Sequence, residues 1–169
     1  GVSSAASDVY KRQAKTSAEV IEVHLDPPDP PASPSVLEAI ETSDVLVLGP
    51  GSWFTSVMPH LLVPQIVEAI MDSDALKILT LNVAGADETN GFSPARHLEV
   101  LAEHEPRIRF DVVLADRSFA RSDPHLGTFA RNLGARIVEA DLAMHDGSAR
   151  HDPLRLASAY AEVMGVHIR

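Results

Sequence analysis

The chain has 169 residues, of which 45% are apolar, 22% charged and 5% aromatic, a balance typical of one soluble domain with an ordinary core. Fourteen lysines and arginines against 24 aspartates and glutamates give a formal charge of −10, which disfavours nucleic acid and anionic lipid as partners. The absence of cysteine excludes disulfides and thiolate chemistry. We therefore expect a cytoplasmic protein without a membrane span.

The first thirteen residues, GVSSAASDVYKRQ, differ in character from the rest. They are polar, follow no helical or strand period, and contain no apolar run that would make a signal peptide. The string also resembles a translated adapter sequence that recurs at the ends of metagenomic reading frames. We expect residues 1–13 to be a non-native or disordered leader, and residues 14–169 to be the back portion of a longer domain.

From residue 14 onward, short apolar runs alternate with amphipathic stretches. The apolar runs predict strands at residues 20–25, 44–49, 77–83, 110–115 and 136–140. Helix-start signals occur at the capping box Ser35-x-x-Glu38 and at Pro64, Pro94 and Pro153. A short helix is also predicted over residues 127–133. The second run, DVLVLG, is apolar on both faces, as a central parallel strand should be.

Alternation of strands and helices at these lengths predicts a parallel sheet with helices on both faces. This is a Rossmann-like, three-layer α/β fold with a mainly parallel sheet, which we expect to be truncated at its N-terminal strands. Ligands of such sheets bind beyond the carboxyl ends of the strands. The loops that follow the strands are therefore the candidate functional segments.

The first of these loops, residues 49–56, reads GPGSWFTS. Two glycines around Pro50 allow a sharp turn with exposed N–H groups, and three nearby hydroxyls could donate to an anion. The alternative is a loop that merely turns, with Trp53 and Phe54 filling the core. Composition alone favours this alternative, because a glycine pair is a weak signal.

The next two loops are less specific. Residues 82–92 form a long, acidic connection, which is typical either of a lid over a ligand or of a solvated loop. The third loop offers Arg117 and Arg121 as anion contacts, although surface arginines on a solvated face are the simpler interpretation. Neither loop identifies a ligand by itself.

The last loops contain His145-Asp146 and Arg150-His151-Asp152. Two histidines and two aspartates suggest a metal site, but Asp152 is more simply the N-cap of the helix that starts at Pro153. An arginine just before a helix start can reach a diphosphate held near that terminus. We assign no catalytic and no metal-binding residue, because the chain has no G-x-G-x-x-G, Walker, G-x-S-x-G or H-E-x-x-H motif.

Residues 49–70 read GPGSWFTSVMPHLLVPQIVEAI. This run resembles the stretch G-P-G-S-(Leu/Trp)-(Tyr/Phe)-T-S-(two apolar)-P-(Asn/His)-L-(Leu/Met)-V-P of the gluconeogenesis-factor family (YvcK-like), which is related to the 2-phospho-L-lactate transferases (CofD). Residues 149–152, ARHD, are similar to the family's (apolar)-R-H-(Asn/Asp) segment before its last helix. The resemblance covers the chain from about Val20 to its end.

A second segment carries the same resemblance. Residues 82–83 and 88–93, followed by His97, look like the family's N-(apolar)…G-E-T-(Asp/Glu)-G-(Tyr/Phe)-(Ser/Thr)…D-H pattern. Asp87 stands where the family usually has glycine, and Asn90 where it has an acid. The family's glycine-rich opening turn and the acidic segment that follows it do not occur in this sequence.

The resemblance implies a Rossmann-like fold that binds a nucleotide sugar, with UDP-N-acetylglucosamine as the ligand associated with YvcK-like proteins. Those proteins are linked to envelope synthesis, cell shape and growth on gluconeogenic carbon sources, without an established reaction and with no required cofactor. Phe129 stands where the family commonly has a tyrosine beside the ligand, and Arg150 would face the diphosphate. The ligand-binding residues implied are Gly49, Pro50, Gly51, Ser52, Thr55, Asn82, Phe129 and Arg150.

Two alternatives stay open. The CofD branch transfers a phospholactyl group to a deazaflavin with a divalent metal, so Mg²⁺ is expected only if this chain is such a transferase. A fragment without ligand competence is the third possibility. Proteins of envelope synthesis are the expected macromolecular partners, and an unpaired sheet edge predicts self-association into a homo-oligomer.

Overall fold

The computed structural model describes residues 8–13, 20–26, 31–85 and 89–168. Strands β1 (Asp8–Gln13) and β2 (Val20–Asp26) pair antiparallel as a two-stranded sheet. The strand predicted at 20–25 is thereby confirmed. Strand β1 lies within the expected leader, and the division of the chain at residue 13 stays a prediction.

Four further strands form one parallel sheet in the order β3-β4-β5-β6. They are β3 (Val45–Leu48), β4 (Leu76–Thr80), β5 (Val112–Asp116) and β6 (Arg136–Ala140). Each overlaps a predicted strand, with ends that differ by up to three residues. The predicted α/β fold with a parallel sheet is confirmed.

The helices connect these strands or follow the last of them. In chain order they are α1 (Pro34–Thr42), a π-helical segment (Trp53–Val57) that continues into α2 (Met58–Leu61), α3 (Pro64–Asp72), α4 (Pro94–His104), α5 (Arg117–Arg121), α6 (Leu126–Asn132) and α7 (Pro153–Ile168). Helix α7 passes through Gly165 and ends at Ile168.

Both faces of the sheet are covered, which gives three layers. On β5, Val113 and Ala115 join a core cluster that includes residues of α2, α3, α4 and α6. The intervening Val112 and Leu114 point to the opposite face, where they join a second cluster with residues of α7 such as Val163. All five residues of β5 are buried, as expected for one of the two inner strands of the sheet.

Helix starts follow the predicted proline signals in most places. Helices α3 and α4 have proline in their first turn, and the Ser93 hydroxyl accepts a hydrogen bond from the Arg96 amide as the N-cap of α4. The capping box predicted at Ser35 is wrong. The N-cap of α1 is Ser33, because Pro34 already begins the helix, and the Ser33 and Ser35 hydroxyls hydrogen-bond each other at 2.8 Å.

The prediction of a central position for DVLVLG is also wrong for the described residues. Strand β3 lies at the end of the four-stranded order, and the Val47 side chain is 46% exposed. Leu48 packs against one core cluster and Val45 against the other. Apolar residues on both faces of a strand therefore indicate that helices cover both faces of the sheet there. They do not indicate that the strand has a neighbouring strand on each side.

Two segments predicted as loops are partly helical. The stretch Trp53–Leu61 carries apolar residues at helical spacing, directly after the turn signals of residues 49–52, whereas the five residues of α5 are too few to show a period. In the described part of the chain, no single helix has the length and apolar composition to cross a membrane. The pair Trp53–Leu61 and Pro64–Asp72 meets that test by length and composition when taken together, with a 71° bend between the two parts.

Candidate functional site

The carboxyl ends of β3 to β6 lie at one edge of the sheet, because the strands are parallel. The turn after β3 is pressed against the neighbouring strand at Gly49, which has a φ of +80°. A β-carbon at this position would overlap the carbonyl oxygen of Thr80, the last residue of β4. Glycine is therefore required at position 49 by both backbone conformation and space.

The side chain of Asn82 holds the same turn. The Gly51 N–H donates to Asn82 Oδ1 at 3.0 Å, and Asn82 Nδ2 donates to the Gly51 carbonyl at 2.9 Å. The Gly51 N–H, predicted from sequence as a donor to an anion, thus donates to a side chain of the protein. The geometry makes Asn82 a residue that orients the turn, and its direct contact with a ligand stays a prediction.

Two hydroxyls lie at the exposed side of this turn. Thr55 Oγ1 donates to Ser52 Oγ at 2.6 Å. The Ser52 carbonyl accepts from the backbone amides at 56 and 57, at 2.8 and 3.1 Å, so the helical segment begins directly after the turn. Trp53 and Phe54 are fully buried, which confirms their core interpretation, and the hydroxyls remain at the surface.

His97 joins the segments that follow three different strands. The Trp53 indole N–H donates to the His97 carbonyl at 3.1 Å, and the His97 ring contacts Trp53, Phe92 and Phe119 with centroid distances of 5.0, 5.5 and 5.8 Å. Its Nδ1 lies 2.8 Å from the Ser93 carbonyl. Burial lowers the pKa of His97, and the bond to Ser93 offsets part of this effect. The ring supports the site from inside the core.

The segment 82–92, expected as a lid or a solvated loop, packs on the core in its described part. Thr89 is 2% exposed and Phe92 8% exposed. Phe92 also contacts Phe54 edge to face at 6.0 Å between ring centroids. Asp87 and Glu88, two of the positions compared with the family pattern, lie outside the described residues.

Asp116, at the end of β5, ties two loops together. Its carboxylate is buried, with 5% of the residue exposed. Oδ1 accepts the Leu142 N–H at 2.9 Å and the Ala143 N–H at 3.2 Å, and Oδ2 accepts the Ser118 N–H at 3.1 Å. The loop after β6 is thus attached to the end of the neighbouring strand.

The backbone near Arg150 lies close to the segment that follows β4. Ala143 and His151 form an antiparallel bridge. Burial lowers the pKa of His151, and the nearby backbone of Leu81 offsets part of this effect. Because Leu81 precedes Asn82, the loop that contains Arg150 lies beside the segment that holds the turn around Gly51.

Arg150 itself is exposed. Its charge is one of the weaker effects that lower the pKa of Asp146, after the hydrogen bonds that Asp146 accepts from Ser148. Asp152 Oδ1 accepts the Leu154 N–H at 2.9 Å, which confirms Asp152 as the N-cap of α7. The start of α7 therefore already carries a carboxylate, and the expected attraction for a diphosphate rests on the guanidinium.

The contacts do not bring every predicted residue to this edge. Phe129 lies on α6 and is half-buried against the first core cluster, and the contacts of the described residues do not join it to the turn or to Arg150. Arg121 forms a 3.4 Å ion pair with Glu139, as a surface arginine would. The assignment of Phe129 to the ligand stays a prediction.

The histidines and aspartates of the last loops have other partners. Among the described residues, no three histidine, aspartate or glutamate side chains are grouped to hold a metal ion. His145 Nε2 lies 3.1 Å from a carboxylate oxygen of Asp141. Asp141 also pairs with Arg155 at 2.7 Å, so these residues form a surface ion-pair network.

An apolar groove of about 400 Å³ runs along β3. It shares Gly49 and Pro50 with the predicted site, whereas Asn82 and Arg150 do not line it. The groove and the predicted diphosphate position are therefore different places on the surface. Residues that line the groove include Val36, Ile40, Leu46, His60 and Ile70.

Sequence reasoning missed Asp116 and His151 as residues that shape the site. One signal for Asp116 is available in the sequence, because an aspartate that directly follows an apolar strand can cap the segment after it. His151 gives no such signal. Its neighbour Leu81 is 70 positions away in the chain, and folding alone brings the two together.

A parallel sheet covered on both faces, with the loops joined at its carboxyl edge, defines a Rossmann-like α/β protein. The chain belongs to the CofD family, since the family model described as 2-phospho-L-lactate transferase CofD matches residues 3–152. This match confirms the resemblance inferred from the motifs.

Relatives with known names fall in the gluconeogenesis-factor branch. A protein of Mycobacterium leprae, named as a candidate gluconeogenesis factor, is 43% identical over 150 residues, which are 86% of this chain and 42% of that protein. The "Gluconeogenesis factor" of Listeria monocytogenes is 29% identical over 149 residues, or 81% of this chain and 46% of that protein. The chain thus spans less than half the length of these relatives.

A solved structure shows the same fold. The crystal structure of a UPF0052-family protein from Bacillus halodurans is 30% identical and superposes with a TM-score of 0.70. The superposition covers 83% of this chain and 50% of the other. The Rossmann-like architecture inferred from the sequence is thereby confirmed.

Proposed function

We propose that this protein binds a nucleotide sugar of the UDP-N-acetylglucosamine type at the carboxyl edge of its sheet. It acts as a cytoplasmic regulator of envelope synthesis, cell shape and gluconeogenic growth, with proteins of envelope synthesis as its partners. One observation carries the proposal. Asn82 bonds the turn at Gly51, and the adjacent Leu81 lies beside the ring of His151, next to Arg150.

The chemistry of a pyrophosphate fits this arrangement. Hydroxyl and backbone donors fix phosphate oxygens in position, and a guanidinium adds charge-assisted bonds. The Ser52 and Thr55 hydroxyls supply donors at the turn once a phosphate oxygen replaces the bond from Thr55 to Ser52, and Arg150 supplies the cation from the loop after β6. Because the chain carries a formal charge of −10, these local donors must outweigh a repulsive overall field. Binding therefore depends strongly on the few groups placed at this edge.

The names of the relatives support a regulator rather than an enzyme, because they refer to gluconeogenesis and not to a reaction. No cofactor is required for such a role. Phe129, on α6, offers a ring face where the family commonly has a tyrosine, and it lacks the hydroxyl.

The name of the matching family favours a second candidate, the transfer of a phospholactyl group to a deazaflavin. That reaction needs a divalent metal such as Mg²⁺. The described residues do not contain a three-ligand set for it, and we derive no step through a metal. A chain without ligand competence is the third alternative.

Calorimetric titration of the 169-residue chain separates these alternatives. The proposal expects binding of UDP-N-acetylglucosamine and no binding of the deazaflavin acceptor. Binding of the acceptor without the nucleotide sugar would favour the transferase. Binding of neither would contradict both functions and support the third alternative.

A further inference from the structure

We propose that Asp116 is the positioning residue for Arg150. Its buried carboxylate holds the loop of residues 141–152 in the shape that presents the Arg150 guanidinium to the pyrophosphate of the ligand. This inference rests on the proposed function and assigns to Asp116 a role in affinity, in addition to its part in the fold.

Asp116 provides the fixed point to which the loop is attached. Asp116 ends β5, which is flanked by β4 and β6, and the side chains of this strand are buried on both faces. A carboxylate in such a position accepts strong, charge-assisted bonds from N–H groups. Asp116 accepts three of them, two from Leu142 and Ala143 and one from Ser118. The loop after β6 is therefore attached to a fully buried inner strand of the sheet.

Backbone hydrogen bonds connect the segment that contains the Leu142 and Ala143 amides to Arg150. Residues 142–144 pair with residues 150–152 across the loop. The Asp152 N–H donates to the Leu142 carbonyl at 2.7 Å, and the Met144 N–H donates to the Arg150 carbonyl at 2.8 Å. The backbone position of Arg150 is thus determined by a strand segment whose own position Asp116 determines.

His151, which pairs with Ala143 across the loop, also lies beside the backbone of Leu81, the residue that follows β4. The paired segments therefore lie close to the end of β4 as well as to the end of β5. Asp116 also acts on His151 through its charge, which raises the pKa of the ring against the larger lowering by burial. The Arg150 side chain is exposed. Its backbone is positioned by the paired segment of residues 142–144 and, through that segment, by Asp116.

The effect of removing the carboxylate follows from its geometry. In Asp116→Asn one side-chain oxygen becomes an NH₂ donor, so the side chain cannot accept from Ser118 and from the Leu142–Ala143 pair at the same time. The buried apolar side chains of β5 remain, and the sheet is expected to form. The loop then samples more positions, and binding must restrict it again, which weakens affinity.

The test is a double-mutant cycle. Affinity for UDP-N-acetylglucosamine is measured by calorimetry for the full chain and for Asp116→Asn, Arg150→Ala and the double variant. Each single substitution is expected to weaken binding by about tenfold or more. The double variant is expected to bind no more weakly than Arg150→Ala, because Asp116 acts through Arg150. A purely structural role would not produce this non-additivity.

Asp111→Asn is the matched control. Asp111 also accepts a backbone N–H, from Lys77 at 2.8 Å, but it lies at the opposite edge of the sheet, just before β5. It is expected to lower the melting temperature without changing affinity. Should Asp116→Asn fail to fold, Asp116→Glu keeps both acceptor oxygens on a longer side chain, and the same non-additivity with Arg150→Ala is expected.

The outcomes separate this inference from the proposed function. If the unmodified chain does not bind UDP-N-acetylglucosamine, the proposed function fails and this inference with it. If the unmodified chain binds and Arg150→Ala weakens binding, then wild-type affinity in folded Asp116→Asn overturns this inference alone. Fully additive losses in the double variant also overturn it, because Asp116 would then act independently of Arg150.

Discussion

Asn82 and Gly51 exchange two hydrogen bonds in which a side-chain amide pairs with a backbone amide and carbonyl, at 3.0 and 2.9 Å. Two residues in antiparallel strands exchange a similar pair of hydrogen bonds through their backbones. Here the pair joins the loops that follow two neighbouring strands. It fixes the turn after β3 relative to the end of β4. The shape of the candidate site therefore depends on one side chain that does not need to touch the ligand.

Replacement of Asn82 by alanine removes both bonds and leaves the polar groups of Gly51 half-buried. We expect the free energy of unfolding to fall by about 1–3 kcal/mol and the affinity for UDP-N-acetylglucosamine to fall as well. Asn132→Ala, at an exposed position in the last turn of α6, is the control, and both variants are compared by denaturant titration and calorimetry. Equal stability of the two variants would show that the bonds to Gly51 contribute nothing net.

Gly49 allows the effects of backbone conformation and space to be separated. Gly49 and Gly147 have similar φ angles, +80° and +83°, but a β-carbon would overlap the Thr80 carbonyl at position 49 and meet nothing within 4 Å at position 147. Gly147→Ala is expected to cost about 1–2 kcal/mol for its backbone conformation alone. Gly49→Ala is expected to cost clearly more. Similar thermal melts for the two variants would contradict the close approach of the turn to β4.

The sequence predicts the elements whose signals are local. Pro64 and Pro94 mark the starts of α3 and α4, and short runs rich in apolar residues mark β4, β5 and the region of β3. These features follow from one stretch of chain, so periodicity and capping chemistry are sufficient to find them. The parallel sheet follows from their order.

The features that sequence reasoning missed depend on distant partners. The segment from Trp53 to Leu61 directly follows the Gly, Pro and Ser residues of a turn, which obscure its helical apolar spacing, and its conformation is stabilised by burial of Trp53 beside His97, 44 positions away. The role of Asn82 requires Gly51, 31 positions away. The family resemblance predicts that the turn is functional, but it did not show which side chains hold it in place.

Arg150 is the residue on which the proposed function can be tested most directly. Loss of a charge-assisted contact to a diphosphate should weaken binding of UDP-N-acetylglucosamine by about 1.5–3 kcal/mol. The melting temperature should change little, because the side chain is exposed. Arg136→Ala is the control, since Arg136 is exposed at the start of β6, on the opposite edge of the sheet. If both variants bind with the affinity of the unmodified chain, Arg150 is a surface residue without a ligand.

The buried histidines make stability depend on pH in a direction that can be stated. Burial lowers the pKa of His97 below its ordinary value of 6.5, and the same cause lowers the pKa of His60 and His151. Between the lowered pKa and about 6.5, the unfolded chain binds more protons than the folded one. The free energy of unfolding therefore rises with pH through this window, and the stability is fully present above it.

His97→Phe tests how much of this dependence comes from the aromatic cluster. Phenylalanine keeps a ring against Trp53 and Phe92 but does not titrate, so the slope of unfolding free energy between pH 5 and 7 should decrease by up to about 1.4 kcal/mol per pH unit. Phe119→Leu, which removes a ring contact of His97 and leaves the titrating group, should lower stability and keep the slope. Both are measured by urea denaturation at a series of pH values. An unchanged slope in His97→Phe would mean that His97 binds its proton as readily in the folded chain as in the unfolded one, and that the core around it admits the charge.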